Sequence, residues 1–169
     1  QDFLFSAKYI DRDVNITALS PSHSDRSGYH IEGQHLYRHE IFNTIIGGGG
    51  YEFYGKAPLQ GDISRKNIYV YTNINLRPNL TTTLGLSYDL FTNSTSQSTD
   101  KINPKFGLQW DINQYFRLRA AWFESTKPHV MGQQSLEPTQ IAGFNQFYDD
   151  LNATRSRRMG FGLDANFNA

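Results

Sequence analysis

The stretch Asn67–Leu90, NIYVYTNINLRPNLTTTLGLSYDL, splits into two unlike lists when every second residue is read. One list holds Ile68, Val70, Thr72, Ile74 and Leu76, then Leu84, Leu86, Tyr88 and Leu90. The other holds Asn67, Tyr69, Tyr71, Asn73, Asn75 and Arg77, then Thr81, Thr83, Gly85, Ser87 and Asp89. An alternation of this kind is the period of a strand with one apolar and one polar face. A soluble sheet buries the apolar face under a second layer, whereas a membrane barrel turns it to lipid. The whole chain therefore turns on which solvent that face meets.

The same period recurs along the 169 residues, and helical periodicity is almost absent. Strand-like segments are read at Asp2–Asp11, Gly28–His39, Ile41–Tyr54, Lys66–Arg77, Leu80–Phe91, Asn103–Ile112, Tyr115–Phe123, Thr139–Asp149 and Ser156–Phe167. Connections around His39–Glu40, Pro78–Asn79, Asn113–Gln114 and Asp150–Thr154 read as short. The alternate connections read as roughly 10–17 residues long and are rich in Ser, Asn, Thr and Gly, as in SPSHSDRSG and TNSTSQSTD. In an up-and-down sheet, alternate connections share an end, so short turns gather at one rim and long loops at the other. Outer-membrane barrels have that asymmetry, and a β-sandwich gives no reason for it.

Composition agrees without deciding the matter. Mean hydropathy is −0.57, and no run approaches the ~20 apolar residues of a spanning helix. That excludes helical insertion and leaves a barrel open, because barrel strands give only alternate residues to lipid. The 12 Phe, 10 Tyr and 2 Trp are many for so hydrophilic a chain. Phe3, Tyr9, Tyr88, Trp110, Trp122 and Phe167 fall towards strand ends, where an aromatic girdle is expected at a bilayer. Sixteen basic residues balance sixteen acidic ones, which argues against a nucleic-acid footprint. Without cysteine there is neither a disulfide frame nor a thiolate metal site.

These features predict an all-β fold: one domain over 1–169, an antiparallel up-and-down transmembrane β-barrel or part of one, of about 8–10 strands. Nine segments is an odd count and both ends run in strand pattern, so the reading is a segment of a larger barrel or one strand misplaced. The expected setting is the bacterial outer membrane, with the lipid bilayer as partner and no nucleic acid. The competing reading is a soluble β-sandwich whose long loops bind a ligand.

For the polar face, Arg38, Asn73, Asn75, Lys105, Arg117, Arg119, Arg158 and Asp164 are the residues expected to line a hydrated interior. Both signs of charge alternate there, which favours a network of pairs over a ring of one sign. No cofactor, metal or catalytic residue is expected. His30, His35 and His39 lie close to Glu32 and Glu40, but one strand cannot converge such ligands to about 2.0–2.2 Å, and His30 faces away from the other two. A hydrolase would have to use His30 or His35, and no G-x-S-x-G elbow occurs. Gly47–Gly50 lacks the G-K-[ST] that would make it a phosphate loop. On a lipid-facing strand, Ile74→Arg is expected to cost about 2–4 kcal/mol if it lies near the midplane, with Asn75→Arg tolerated.

The run INPKFGLQWDINQYFRLRAAWFESTKP, Ile102–Pro128, resembles the late strands of TonB-dependent-receptor-type barrels. The runs SLEPTQIAGFNQFYDDLNAT, EGQHLYRHEIFNTIIGGGGYEF and NIYVYTNINLRPNLTTTLGLSYD are similar to the C-terminal barrel of large proteobacterial tetratricopeptide-repeat proteins of the outer membrane. The resemblance implies an outer-membrane location and a role in passage or export, or in anchoring. It also implies periplasmic domains in a parent protein, although no 34-residue helical repeat and no TonB box or plug pattern occurs between Gln1 and Ala169. It implies no catalytic residue.

Overall fold

The computed structural model describes residues 1–16, 22–55, 61–93, 96–127, 135–146 and 154–167. Its strands are β1 (Asp2–Ile16), β2 (Ser22–Arg38), β3 (Phe42–Gly55), β4 (Ile63–Arg77), β5 (Leu80–Asn93), β6 (Ser96–Asp111), β7 (Phe116–Thr126), β8 (Gln140–Ile141), β9 (Phe144–Asn145) and β10 (Arg155–Ala165). Eight of them form one antiparallel sheet in the order β1-β2-β3-β4-β5-β6-β7-β10, an up-and-down meander. The sheet does not close on itself, since β1 and β10 stand at its two ends. At one rim the chain turns tightly, with the His39 N–H donating to the Phe42 carbonyl and the Ile112 N–H to the Phe116 carbonyl, at 2.8 and 2.9 Å.

The apolar face of Asn67–Leu90 lies on the outside. Ile68 is 66% exposed and Leu86 46%, while Tyr71 and Asp89 on the opposite face are each 2% exposed. This inverts a soluble protein, in which large aliphatics are buried and charges are wet. Opposed residues keep to their faces across strands: Val70 meets Leu86, and Tyr71 meets Gly85. Phe3, Phe5, Ile31, Ile102, Phe106, Met159, Phe161 and Leu163 extend the exposed apolar surface over the sheet. On β5 the outward-facing alternate set runs from Leu80 to Leu90, with Leu84, Leu86 and Tyr88 exposed and Leu80 and Leu90 half-buried at its ends. That is about 34 Å along the strand, or about 25 Å in height at the usual ~35–45° tilt, which matches a barrel's apolar band.

The inner face is packed. The Tyr69 ring lies where a Cβ on Gly47 would sit, 2.5 Å away, and the Tyr71 ring 2.8 Å from such a Cβ on Gly85. Glycine on the neighbouring strand lets each aromatic ring lie flat against the backbone.

Three expectations need correction. The segment read as Thr139–Asp149 supplies no strand of the sheet among the described residues. Its described part, Thr139–Gln146, holds only the two-residue strands β8 and β9, paired with each other through Gln140–Asn145 and Ile141–Phe144. The short connection expected at Asp150–Thr154 lies, apart from Thr154, outside the described residues. Removing that strand turns the odd count into eight in the sheet. In addition, Ile74 is no midplane residue, because it lies three places from Arg77 at the turn end of β4. Strands also climb further than expected, since Ser96–Asp100 of the polar run TNSTSQSTD belongs to β6.

Candidate functional site

The segment Ser135–Gln146 lies against the inner face and crosses it from β7 and β10 to β2. The β8–β9 hairpin turns through Ala142 and Gly143, both at positive φ (47° and 81°), as a two-residue type I′ connection requires. Its root seats in gaps left by small residues. A Cβ on Gly107 would stand 2.8 Å from Ile141, and one on Gly160 would stand 2.6 Å from the Phe144 ring. Ile141 and Ala142 are buried with Ala121, Phe123, Tyr69 and Tyr71 in one apolar cluster. The Arg119 guanidinium covers the Phe144 ring at 5.1 Å. Ser125 Oγ donates to the Gln146 carbonyl at 2.8 Å.

The other end of the segment is held by polar groups. Glu32 on β2 accepts from the Leu136 N–H and from Ser135 Oγ, both at 2.7 Å. Gln34 Nε2 donates to the Leu136 carbonyl at 2.9 Å. Glu137 reaches three donors that alternate along β4: Tyr71 Oη at 2.7 Å, Asn67 Nδ2 at 3.3 Å and Arg65 at 3.4 Å. All four residues are buried. Charges this deep persist only when paired and hydrogen-bonded. Arg65 Nε donates to Asp89 at 2.8 Å, and the second Asp89 oxygen accepts from Asn103 at 2.7 Å. Lys105 Nζ donates to Ser87 Oγ at 2.8 Å and lies 5.5 Å over the Tyr71 ring.

The residues expected on the polar face all have the inner parity, but they form separate groups. Only Lys105 belongs to the buried network around Asp89. Arg119 pairs with Asp164 at 2.7 and 2.8 Å. Arg117 pairs with Asp111 at 2.5 Å, near the turn rim. Asn73 accepts from Thr83 at 2.7 Å and Asn75 from Thr81 at 3.1 Å. Arg38 pairs with Asp2. Arg158 is half-buried and stands opposite Phe123 in the register. His30 and His35 point to opposite faces: His30 is buried beside Glu32, and His35 stacks on Phe3 outside.

Sequence reasoning missed Glu32, Arg65, Asn67, Tyr71, Asp89 and Glu137 as one site. The alternation marks Glu32, Asn67, Tyr71 and Asp89 as inward-facing, and Arg65 lies just before the strand expected at Lys66–Arg77. Nothing in it brings Glu137 to them, because Glu137 lies on no strand of the sheet.

The TonB dependent receptor-like β-barrel family model matches residues 4–169. No curated protein matches the chain. Among solved structures, the outer-membrane expressed OmpT of Vibrio cholerae is similar in fold, with a TM-score of 0.61 at 14% identity over 97% of this chain. The chain spans about half of that barrel, 52% of its length.

Proposed function

The chain belongs to the TonB dependent receptor-like β-barrel family of the outer membrane, and on that premise we propose that it forms part of the wall of a passage for polar solutes, narrowed from within by Ser135–Gln146. The observation that supports this reading is the segment itself. It bridges the inner face from Gly160 to Glu32, is held by side chains of β2, β4 and β7, and seats on Gly107 of β6. The inner wall is polar and richly hydrogen-bonded, which suits a hydrated interior. The open edges of β1 and β10 belong to the same proposal. In hydrocarbon each unpaired backbone group costs several kcal/mol, so both edges call for further strands.

The test is single-channel conductance of the intact protein in planar bilayers, with and without deletion of Gln140–Asn145. A conductance that rises on deletion supports an inner constriction in a passage. Insertion into the bilayer with no conductance in either form would leave an anchor and sink the passage.

A further inference from the structure

Arg65, Asn67 and Tyr71 are three donors converging on one carboxylate. That carboxylate does not come from the wall. It is supplied by Glu137, 66 residues beyond Tyr71, on a segment that is not a strand of the sheet. Without Glu137, Arg65 would keep only Asp89, because the other buried wall carboxylate of the group, Glu32, is bonded to Ser135 and Leu136. The donors of Arg65, Asn67 and Tyr71 would then lose the one acceptor they share.

We propose that Arg65, Asn67 and Tyr71 form a carboxylate-binding site on the inner wall, and that Glu137 occupies it as a stand-in for the carboxylate of a small organic acid in transit. The inference rests on the passage reading and names a class of solute for it. Its geometry favours a carboxylate. Tyr71 donates to one oxygen of Glu137 at 2.7 Å, while Asn67 and Arg65 donate to the other, so both oxygens of a planar anion are addressed. A neutral amide would offer one oxygen and bring two further donors against the donors of the wall. Entry of a solute carboxylate displaces Glu137. It also loosens the neighbouring Ser135 and Leu136, whose bonds to Glu32 hold the same end of the segment. The root in the Gly107 and Gly160 gaps has no such competitor and acts as the fixed end.

The experiment is calorimetric titration of succinate into the intact protein in detergent micelles, with neutral succinamide as the control. Removing an internal competitor raises apparent affinity by the reciprocal of the fraction of time the site stood free, so Glu137→Ala is expected to bind succinate about tenfold or more tightly than the native chain. Tyr71→Phe in that background is expected to lose most of the gain, because it deletes the shortest bond and leaves the Arg65–Asp89 pair intact. A folded Glu137→Ala protein that binds succinate no better than the native one, or binds succinamide equally well, overturns the proposal. Should Glu137→Ala fail to assemble, the native background decides the question. The chain has no cysteine, so a single Leu136→Cys can be labelled cleanly with a maleimide. Succinate is expected to speed that labelling severalfold over succinamide, and equal rates overturn the site. Binding without conductance would remove the passage and keep the site. Conductance with no succinate effect would do the reverse.

Discussion

The two faces of β4 and β5 share a backbone and differ in every other respect. Outside, Ile68, Val70, Leu84 and Leu86 are exposed and touch no second layer. Inside, Arg65, Asn67, Ser87 and Asp89 are buried with hydrogen bonds satisfied strand to strand. The outer face specifies only apolarity, while the inner face specifies particular partners. An apolar exchange outside should therefore be cheap, and a single inner deletion costly. The largest expected effect is Asp89→Ala, which leaves the Arg65 guanidinium only its longer 3.4 Å bond to Glu137. Breaking a buried pair from one side costs about 3–5 kcal/mol, read as a drop in stability when urea unfolding in micelles is followed by heat-modifiable gel mobility. A loss below about 1 kcal/mol would mean that water already screens Arg65, as at an exposed pair.

Next comes the outer face itself. Leu86→Arg, at mid-height on β5 opposite Val70, should cost about 2–4 kcal/mol. Ile74→Arg, close to the turn rim, should cost only about 0–1 kcal/mol. Asn75→Arg, on the exposed inner side of the same end, should be tolerated. Equal costs for Leu86→Arg and Asn75→Arg would remove lipid from the outer face.

The root of the inner hairpin sets a third, smaller contrast. A Cβ at Gly107 would meet Ile141 at 2.8 Å, so Gly107→Val should unseat the hairpin at a cost of about 1–3 kcal/mol. The leading readout is faster maleimide labelling of Ala142→Cys. Labelling that does not change would mean that the hairpin is not seated on β6.

The outer face was legible in the sequence because lipid imposes one rule on every strand it touches, and the rule has a period of two. Above the apolar band both faces of a strand meet water, so alternation fades and the pattern reads as loop. Ser98–Asp100, with Ser98 and Asp100 exposed and Thr99 half-buried between them, was hidden in that way. Thr139–Asp149 misled for the opposite reason. It is apolar enough to pass for a strand, but Ile141 and Phe144 pack against the inner wall instead of facing lipid. The Ala142–Gly143 pair in its middle is a local sign of a turn. The carboxylate site stayed out of reach because its parts come from β4 and from a segment far along the chain, and spacing carries no record of that contact.

Within the inner face, depth should grade the charges. Arg65–Asp89 lies in the packed middle, where each partner is at most 3% exposed. Arg117–Asp111 sits near the turn rim, with side chains 50% and 45% exposed. The second pair has good geometry, with Nε donating at 2.5 Å and the far nitrogen at 3.2 Å, yet water competes for every one of those bonds. A double-mutant cycle with Arg117→Ala and Asp111→Ala should return a coupling of about 0.2–1 kcal/mol, falling as salt is added. The same cycle on Arg65 and Asp89 should return several times more and respond little to salt, because the surrounding wall keeps ions out. If the rim pair proved as strongly coupled as the buried one, bidentate geometry would set the coupling, and burial would not be what separates the wall from the rim.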